Sequence, residues 1–337
     1  MSNILISSVN WLGDAVMSMP ALQEYHITHP RNSITMLSKA SVAPLWRMHP
    51  AVSDVIVLET GSTGSLRAAS LIKMGGFERA YIFPNSMRSA LVPYLGGVPV
   101  RIGFRGHQRA MLLTKVIDAS APPGGSVHQA WEYVRILDLA MAADAVLPAP
   151  RVGVTSRQLE EAAAMIGCDA NADGLLVALL PGAARGSSKR WPPEHFAQTG
   201  RELRKRTGAK LVVLGSHADH EECRSVSDSI GEGVINLCGK TSLEQLAGVL
   251  AMCGTVISND SGGMHLASAV GSRVVAVFGM TDPARTGPLG NGHRVIMRPG
   301  VQGSRDIPRE SQSASECLSA IPPEDVVHAA ELILSEC

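Results

Sequence analysis

Aromatic side chains are scarce in this chain, at 4% of its 337 residues. A stacking platform for single-stranded nucleic acid needs more of them. No excess of charge exists either, because 30 Lys and Arg balance 30 Asp and Glu. There is thus no basic field to attract nucleic acid and no acidic excess to favour disorder. The six cysteines, Cys168, Cys223, Cys238, Cys253, Cys317 and Cys337, contain no C-x-x-C pair and no regular spacing. Neither a zinc site nor a disulfide framework is expected, and a reduced cytosolic setting fits. Long uncharged apolar runs are missing, which excludes a membrane-spanning helix and leaves only peripheral membrane contact. The opening MSNILISSVNWLGD lacks a basic n-region, so no signal peptide is expected. No strand pattern is followed by G-x-G-x-x-G and no P-loop occurs, which argues against a dehydrogenase and a P-loop NTPase.

What is present is alternation. Hydrophobic residues reach 45% and charged residues 18%, enough for a substantial core in two domains of ordinary size. Short apolar runs at 4–9, 33–37, 54–58 and 79–83 read as strands in the first half. Runs at 175–180, 210–215, 254–258 and 273–279 do so in the second. Amphipathic stretches at 15–28, 128–143, 156–166, 193–207, 218–230, 243–252 and 264–270 read as helices. This order predicts an α/β protein with βαβ units and parallel sheets. The proline-bearing LPAPRVGV (147–154) reads as a linker between residues 1–150 and 151–322. Residues 299–316 are polar and aperiodic, a surface loop. After them IPPEDVVHAAELIL resumes a helix over 323–335.

Ligands of open α/β sheets sit outside the carboxyl ends of the strands, so the loops after strands carry the functional information. NDSGGMH, Asn259 to His265, joins a strand to a helix through Gly262 and Gly263. Backbone N–H groups and the positive helix end suit a phosphate there, with Asp260, Ser261 and His265 flanking. The ordinary alternative is a βα turn capped by Ser or Asp. PGAARGSSKRWPPEHF places Gly182 and Gly186 before Lys189 and Arg190. The lysine suits a pyrophosphate, or the stretch is a solvated basic loop. SHADHEECRSV places Glu221 and Glu222 in a first helical turn, as ribose acceptors or as partners of the helix dipole. MTDPARTGP adds a fourth polar loop, with Thr281 and Asp282. Four such loops on one sheet edge favour a nucleotide crevice. In the first half, Asp14 in NWLGD is either an N-cap or a general base, with Trp11 in the core or against a sugar ring. A helix N-terminus would keep such a carboxylate ionised. Arg88, Arg101, Arg105 and Arg109, with His107, crowd residues 83–113 and read as an anion site or a solvated loop.

Taken together, WLGD, PNSMRSALVPYLGGVPVRIGFRG, PGAARGSSKRWP, LGSHADHE and NDSGGMHLASA resemble the ADP-heptose:lipopolysaccharide heptosyltransferase family, over nearly the whole chain and in order. Segment 83–106 resembles heptosyltransferase II more than heptosyltransferase I. The resemblance implies a GT-B fold: two Rossmann-like domains with parallel sheets facing a central cleft. Residues 1–150 would bind the heptose/Kdo inner core of a Kdo2-lipid A-type lipopolysaccharide, and 151–322 would bind ADP-L-glycero-D-manno-heptose. The helix 323–335 would cross back to the first domain. Transfer would invert the anomeric centre, with Asp14 as base and Lys189 steadying the diphosphate. The donor would meet Gly182, Glu221, Glu222, Asn259, Asp260, Ser261, Gly262, Gly263 and His265. The acceptor would meet Trp11, Gly13, Asn85, Arg88, Arg105 and Arg109. No Asp-x-Asp motif is present, so no cofactor and no obligatory metal are expected. The expected setting is the cytoplasm of a Gram-negative bacterium, with peripheral contact to the inner membrane and no nucleic-acid partner. Ala183 and Ala184 depart from the family pattern, where hydroxyl or acidic side chains are frequent. The alternatives are transfer to another acceptor, as in a heptosyltransferase I-like enzyme, a non-catalytic nucleotide-sugar-binding protein, or a nucleotide hydrolase.

Overall fold

The computed structural model describes residues 2–106, 108–117, 128–142, 145–167, 175–301, 303–304 and 307–336. His107, Cys168, Cys337, residue 143 of the expected helix, and residues 302, 305 and 306 of the polar segment lie outside the described residues. The chain forms two compact units, Met1–Gly153 and Val154–Cys337. The first contains β1 (Asn3–Ser7), α1 (Leu12–Thr28), β2 (Ser33–Ser38), α2 (Ala43–Arg47), β3 (Asp54–Val57), α3 (Gly61–Gly75), β4 (Arg79–Ile82), α4 (Met87–Leu95), β5 (Val100–Phe104), β6 (Lys115–Ile117) and α5 (Ala130–Ile136). The second contains α6 (Ser156–Ile166), β7 (Leu176–Leu180), α7 (Pro193–Thr207), β8 (Lys210–Val213), α8 (His220–Ile230), β9 (Val234–Asn236), α9 (Leu243–Ala251), β10 (Thr255–Asn259), α10 (Gly262–Ala269), β11 (Val274–Val277), α11 (Pro283–Thr286), β12 (Arg294–Ile296), α12 (Gln312–Ser319) and α13 (Pro323–Ser335).

Each unit builds one six-stranded sheet, ordered β3-β2-β1-β4-β5-β6 in the first and β12-β11-β10-β7-β8-β9 in the second. All pairings are parallel. Counted from its own first strand, each sheet has the same doubly wound order. The direction of growth reverses between β1 and β4, and again between β7 and β10. Such reversal points open a crevice at the carboxyl ends of the central strands. The central strands NILIS, LVALL and TVISN are apolar on both faces because helices cover both sides of a parallel sheet. Every residue of β7 and β10 is buried.

Local chemistry sets the helix ends. Thr155 with Gln158 and Ser242 with Gln245 form capping boxes at α6 and α9. Helix α7 begins at Pro193 and stops at Gly208, whose φ of 71° relieves the chain of the left-handed penalty. Strands β5, β6, β9 and β12 were not expected. They are three to five residues long and partly exposed, so they carry no sustained apolar run. The expected helix 128–143 is shorter, Ala130–Ile136. The arginine-rich stretch 83–113, read as a loop or anion site, contains α4 and β5.

One face of helix α13 is covered by the second unit. Val326, Val327, Ala329, Ala330 and Ile333 are buried in the second unit's core with Phe196 and Leu203 of α7 and Ile257 of β10. Five apolar side chains on one helical face have found their partner there, and Trp191 Nε1 donates to Ile321 O at 3.1 Å just ahead of the helix. Cys223, Cys238, Cys253 and Cys317 are buried free thiols. Among the described residues no helix is long and apolar enough to cross a membrane.

One core histidine makes the first unit acid-sensitive. His49 is 2% exposed, beside the ring of Trp46. Its Nδ1 accepts the Ala51 N–H at 3.2 Å, and its Nε2 meets no hydrogen-bond partner among the described residues. Burial, reinforced by His26, lowers its pKa from 6.5 to about 4. The unfolded chain therefore takes up the proton first as pH falls. The stabilisation is complete above pH 6.5 and is lost towards pH 4, by about 3 kcal/mol in all. Urea titrations across this window should show wild-type stability falling with acid and a flatter profile for His49→Gln. Parallel profiles would show that another group carries the effect.

Candidate active site

The second unit's reversal point is built by the segments that leave β7 and β10. After Leu180 the chain runs through Pro181 and Gly182 to a short 3-10 turn, Ser187–Lys189. After Asn259 it turns at Asp260 and Ser261 into α10. Lys189 Nζ donates to Asp260 Oδ2, and the two side chains are only 16% and 6% exposed. The loop around Lys189 is therefore not a solvated basic stretch. Two charges taken out of water cost several kcal/mol unless they pair closely, and this pair sits against the start of a helix. An ammonium carries three donors, so Asp260 fixes its direction without using its whole capacity.

Asn259 supplies the brace beneath this pair. It is fully buried; its Oδ1 accepts the Trp191 N–H at 3.0 Å and its Nδ2 donates to Pro181 O at 2.7 Å. Both ends of the amide tie the β7 loop to the end of β10. The residue expected to touch the donor is thus turned into the protein. Ser261 is the N-cap of α10, yet its side chain makes no cap bond among the described residues; its Oγ lies 3.2 Å from Ser258 Oγ. The first-turn N–H groups, those of Gly262 and Gly263 included, keep the character of an anion-binding helix end. Gly263 is also a packing requirement, because a Cβ there would stand 2.2 Å from Leu180 Cδ2. His265 is buried in the next turn, at 4% exposure.

A second set of charges flanks the loop. Arg190 pairs with Glu222 and lies 3.6 Å from Asp219 Oδ1. Asp219 in turn accepts from the Ser216 N–H at 3.0 Å and from its hydroxyl at 2.5 Å. A Cβ at Gly182 would collide with the Asp219 carboxylate, at 2.4 Å from Oδ1, so glycine permits this approach. Glu222 is therefore held by an arginine, whereas Glu221 beside it is exposed. The polar segment before α12 also belongs here. Ser188 Oγ donates to Pro308 O at 2.5 Å and accepts the Ser311 N–H at 2.8 Å, and Ser188 N–H donates to Arg309 O at 3.3 Å. Gly186, at φ 84°, lets the Arg309 carbonyl approach a position that a Cβ would occupy at 2.6 Å. Arg190 and Ser188 were read in the sequence only as members of the Lys189 loop, and Asp219 was given no role. Only the Ser216-to-Asp219 spacing, that of a capping box, was legible.

In the first unit, the chain leaving β1 enters α1 at Trp11, which is 58% exposed and so is not a core residue. Trp11 is the N-cap, Gly13 the second helical residue and Asp14 the third. Asp14 is therefore not the cap. Its Oδ1 accepts a hydrogen bond from Gln129 Nε2 at 3.1 Å.

The arginines expected to meet an anion divide. Arg109 is fully buried, and its guanidinium donates to Phe104 O at 2.6 Å, Asn85 Oδ1 at 3.1 Å, Ser89 Oγ at 3.3 Å and Pro84 O. Desolvation lowers its pKa to about 10. It pins the loop after β4 instead of facing a ligand, and it takes the side-chain oxygen of Asn85 with it. Arg88 donates to Glu59 O at 2.7 Å, Gly61 O at 3.2 Å and Ser65 Oγ at 3.1 Å, closing the start of α3. Arg101 is likewise engaged, donating to Leu112 O at 2.6 Å. Arg105 is exposed.

Residues 66–314 match the family model for glycosyltransferase family 9 (heptosyltransferase). Lipopolysaccharide heptosyltransferase 2 of Salmonella typhimurium is 30% identical over 99% of both chains. Its namesake in Escherichia coli K12 is 31% identical over 87% of both. The solved E. coli ADP-heptose lps heptosyltransferase II superposes with a TM-score of 0.85 at 28% identity, covering 100% of this chain and 99% of the other. The two doubly wound sheets are thus those of a GT-B glycosyltransferase, and the chain belongs to glycosyltransferase family 9, the heptosyltransferases.

Proposed function

We propose that this enzyme moves L-glycero-D-manno-heptose from its ADP conjugate to the heptose/Kdo inner core of a Kdo2-lipid A-type lipopolysaccharide, as a heptosyltransferase II-like enzyme. The observation that carries the site assignment is the buried Lys189–Asp260 pair before the helix end of α10. Asp14 takes the proton of the acceptor hydroxyl as its oxygen attacks the anomeric carbon from the face opposite ADP. The bond from that carbon to the diphosphate oxygen breaks, its electron pair leaves with ADP, and the configuration inverts. Lys189 and the α10 N–H groups neutralise the charge that develops on the diphosphate. That charge is met by the chain's own groups, so turnover does not depend on a bound metal.

Asp260 orients Lys189, while Asn259 acts as a brace. Glu221 is the carboxylate exposed for a ribose, since Glu222 is engaged by Arg190. The first unit takes the acceptor, with Trp11 and Arg105 as its exposed candidates. Leu66, Leu71 and Met74 are exposed on α3 with Arg67 and Lys73 among them. Apolar and basic groups together suit the anionic cytoplasmic face of the inner membrane.

The test is ADP formation from ADP-heptose with and without a heptosyl-Kdo acceptor. The proposal predicts release that requires the acceptor and persists in EDTA. Equal release without acceptor would mean hydrolysis, and a preference for an acceptor bearing Kdo alone would mean a heptosyltransferase I-like specificity. Lys189→Ala should lower kcat about 10²- to 10³-fold, the usual loss for one donor to a developing anion. Asp14→Asn should lower it about 10²- to 10⁴-fold with ADP binding intact. Full turnover in either variant would remove that residue from the mechanism.

A further inference from the structure

Gln129 lies outside every motif that points to the reaction, yet it holds the residue proposed as base. It is the N-cap of α5, and its Nε2 donates to Asp14 Oδ1 at 3.1 Å and to the Tyr133 hydroxyl oxygen at 3.2 Å. The two hydrogens of one amide nitrogen therefore serve two oxygens. A carboxylate accepts and cannot donate, so the amide must turn its NH2 end, not its oxygen, towards Asp14. Tyr133 is 3% exposed and its ring packs at 5.0 Å from that of Phe83, which fixes the second acceptor. Contacts thus run from Phe83 through Tyr133 of α5 and its N-cap Gln129 to Asp14.

Resting on the reading of Asp14 as the base, we infer that Gln129 is a positioning residue for the acceptor-activating carboxylate, with Tyr133 as its anchor. The bond from Gln129 constrains rotation of the Asp14 carboxylate about its side-chain bonds. It also favours the charged form, the form that accepts a proton from a sugar hydroxyl. A misaimed base loses rate without losing substrate, because the amide touches neither diphosphate nor sugar in this scheme.

The experiment measures steady-state kinetics and pH profiles of Gln129→Leu, Gln129→Glu, Tyr133→Phe and Asp14→Asn, with melting temperatures alongside. Gln129→Leu should lower kcat about tenfold, with KM for both substrates within about twofold. Its acidic limb in kcat/KM should move to higher pH. Gln129→Glu sets a second carboxylate against Asp14, so that limb should move further in the same direction. Tyr133→Phe should show the same changes in smaller size. A structural role alone would lower the melting temperature and leave the limb in place. If Asp14→Asn is inactive while all three neighbours keep the wild-type limb and kcat, the positioning inference is wrong and the base assignment stands. If Asp14→Asn is fully active, the base assignment itself fails.

Discussion

A lysine and an aspartate, both nearly out of water, hold each other where β7 and β10 end. The pair exists because the second sheet reverses its direction of growth between those strands, so two loops distant in sequence meet. Asn259 fastens the loops from below, and Ser188 fastens the β7 loop to the segment before α12. Arg190, Asp219 and Glu222 fill the adjoining strand end. Each of these contacts limits where Lys189 can go. A free lysine on a glycine-rich loop would sample many directions; this one is aimed.

Both units use the same strand order but place chemistry differently. In the first, the helix after its first strand carries Asp14 in its opening turn, with Gln129 against it. In the second, the helix after its fourth strand offers its N-terminus, and the loop after its first strand carries the lysine. Neither helix receives a side-chain cap from its N-cap residue among the described residues. A capped helix end is already satisfied, whereas an end left open suits a ligand. The proposed roles differ because α1 carries a carboxylate in its first turn, whereas α10 carries none and follows the Lys189–Asp260 pair.

The central strands were legible because burial on both faces requires continuous apolar runs, as in LVALL and TVIS. The edge strands β6, β9 and β12 were not, being three residues long and partly exposed. Helix α12 was hidden in a polar stretch because only Ala314, Cys317 and Leu318 face inward. Lys189 and Asp260 were each legible from their loops, but not their pairing, which spans 71 residues. Arg109 misled for a physical reason: a guanidinium can be satisfied by carbonyl oxygens in the core, and composition cannot tell that from an anion site. The Asn259 side chain shows the same ambiguity, since an amide beside a phosphate cradle can serve the backbone, as it does here. Helix α13 was legible as a helix but its second-unit partners were not, because an apolar face states that it must be covered and not by what.

The central claim is that the Lys189–Asp260 pair acts as a unit on the diphosphate. Calorimetry of ADP binding to the wild type, Lys189→Met, Asp260→Asn and the double variant tests it directly. With Asp260 intact, removal of Lys189 leaves an unpaired carboxylate facing the diphosphate, so the loss should be large. With Asn at 260 the same removal should cost less, giving a coupling of about 1 kcal/mol or more. Equal losses in the two backgrounds would show that lysine and aspartate act independently and would contradict the account.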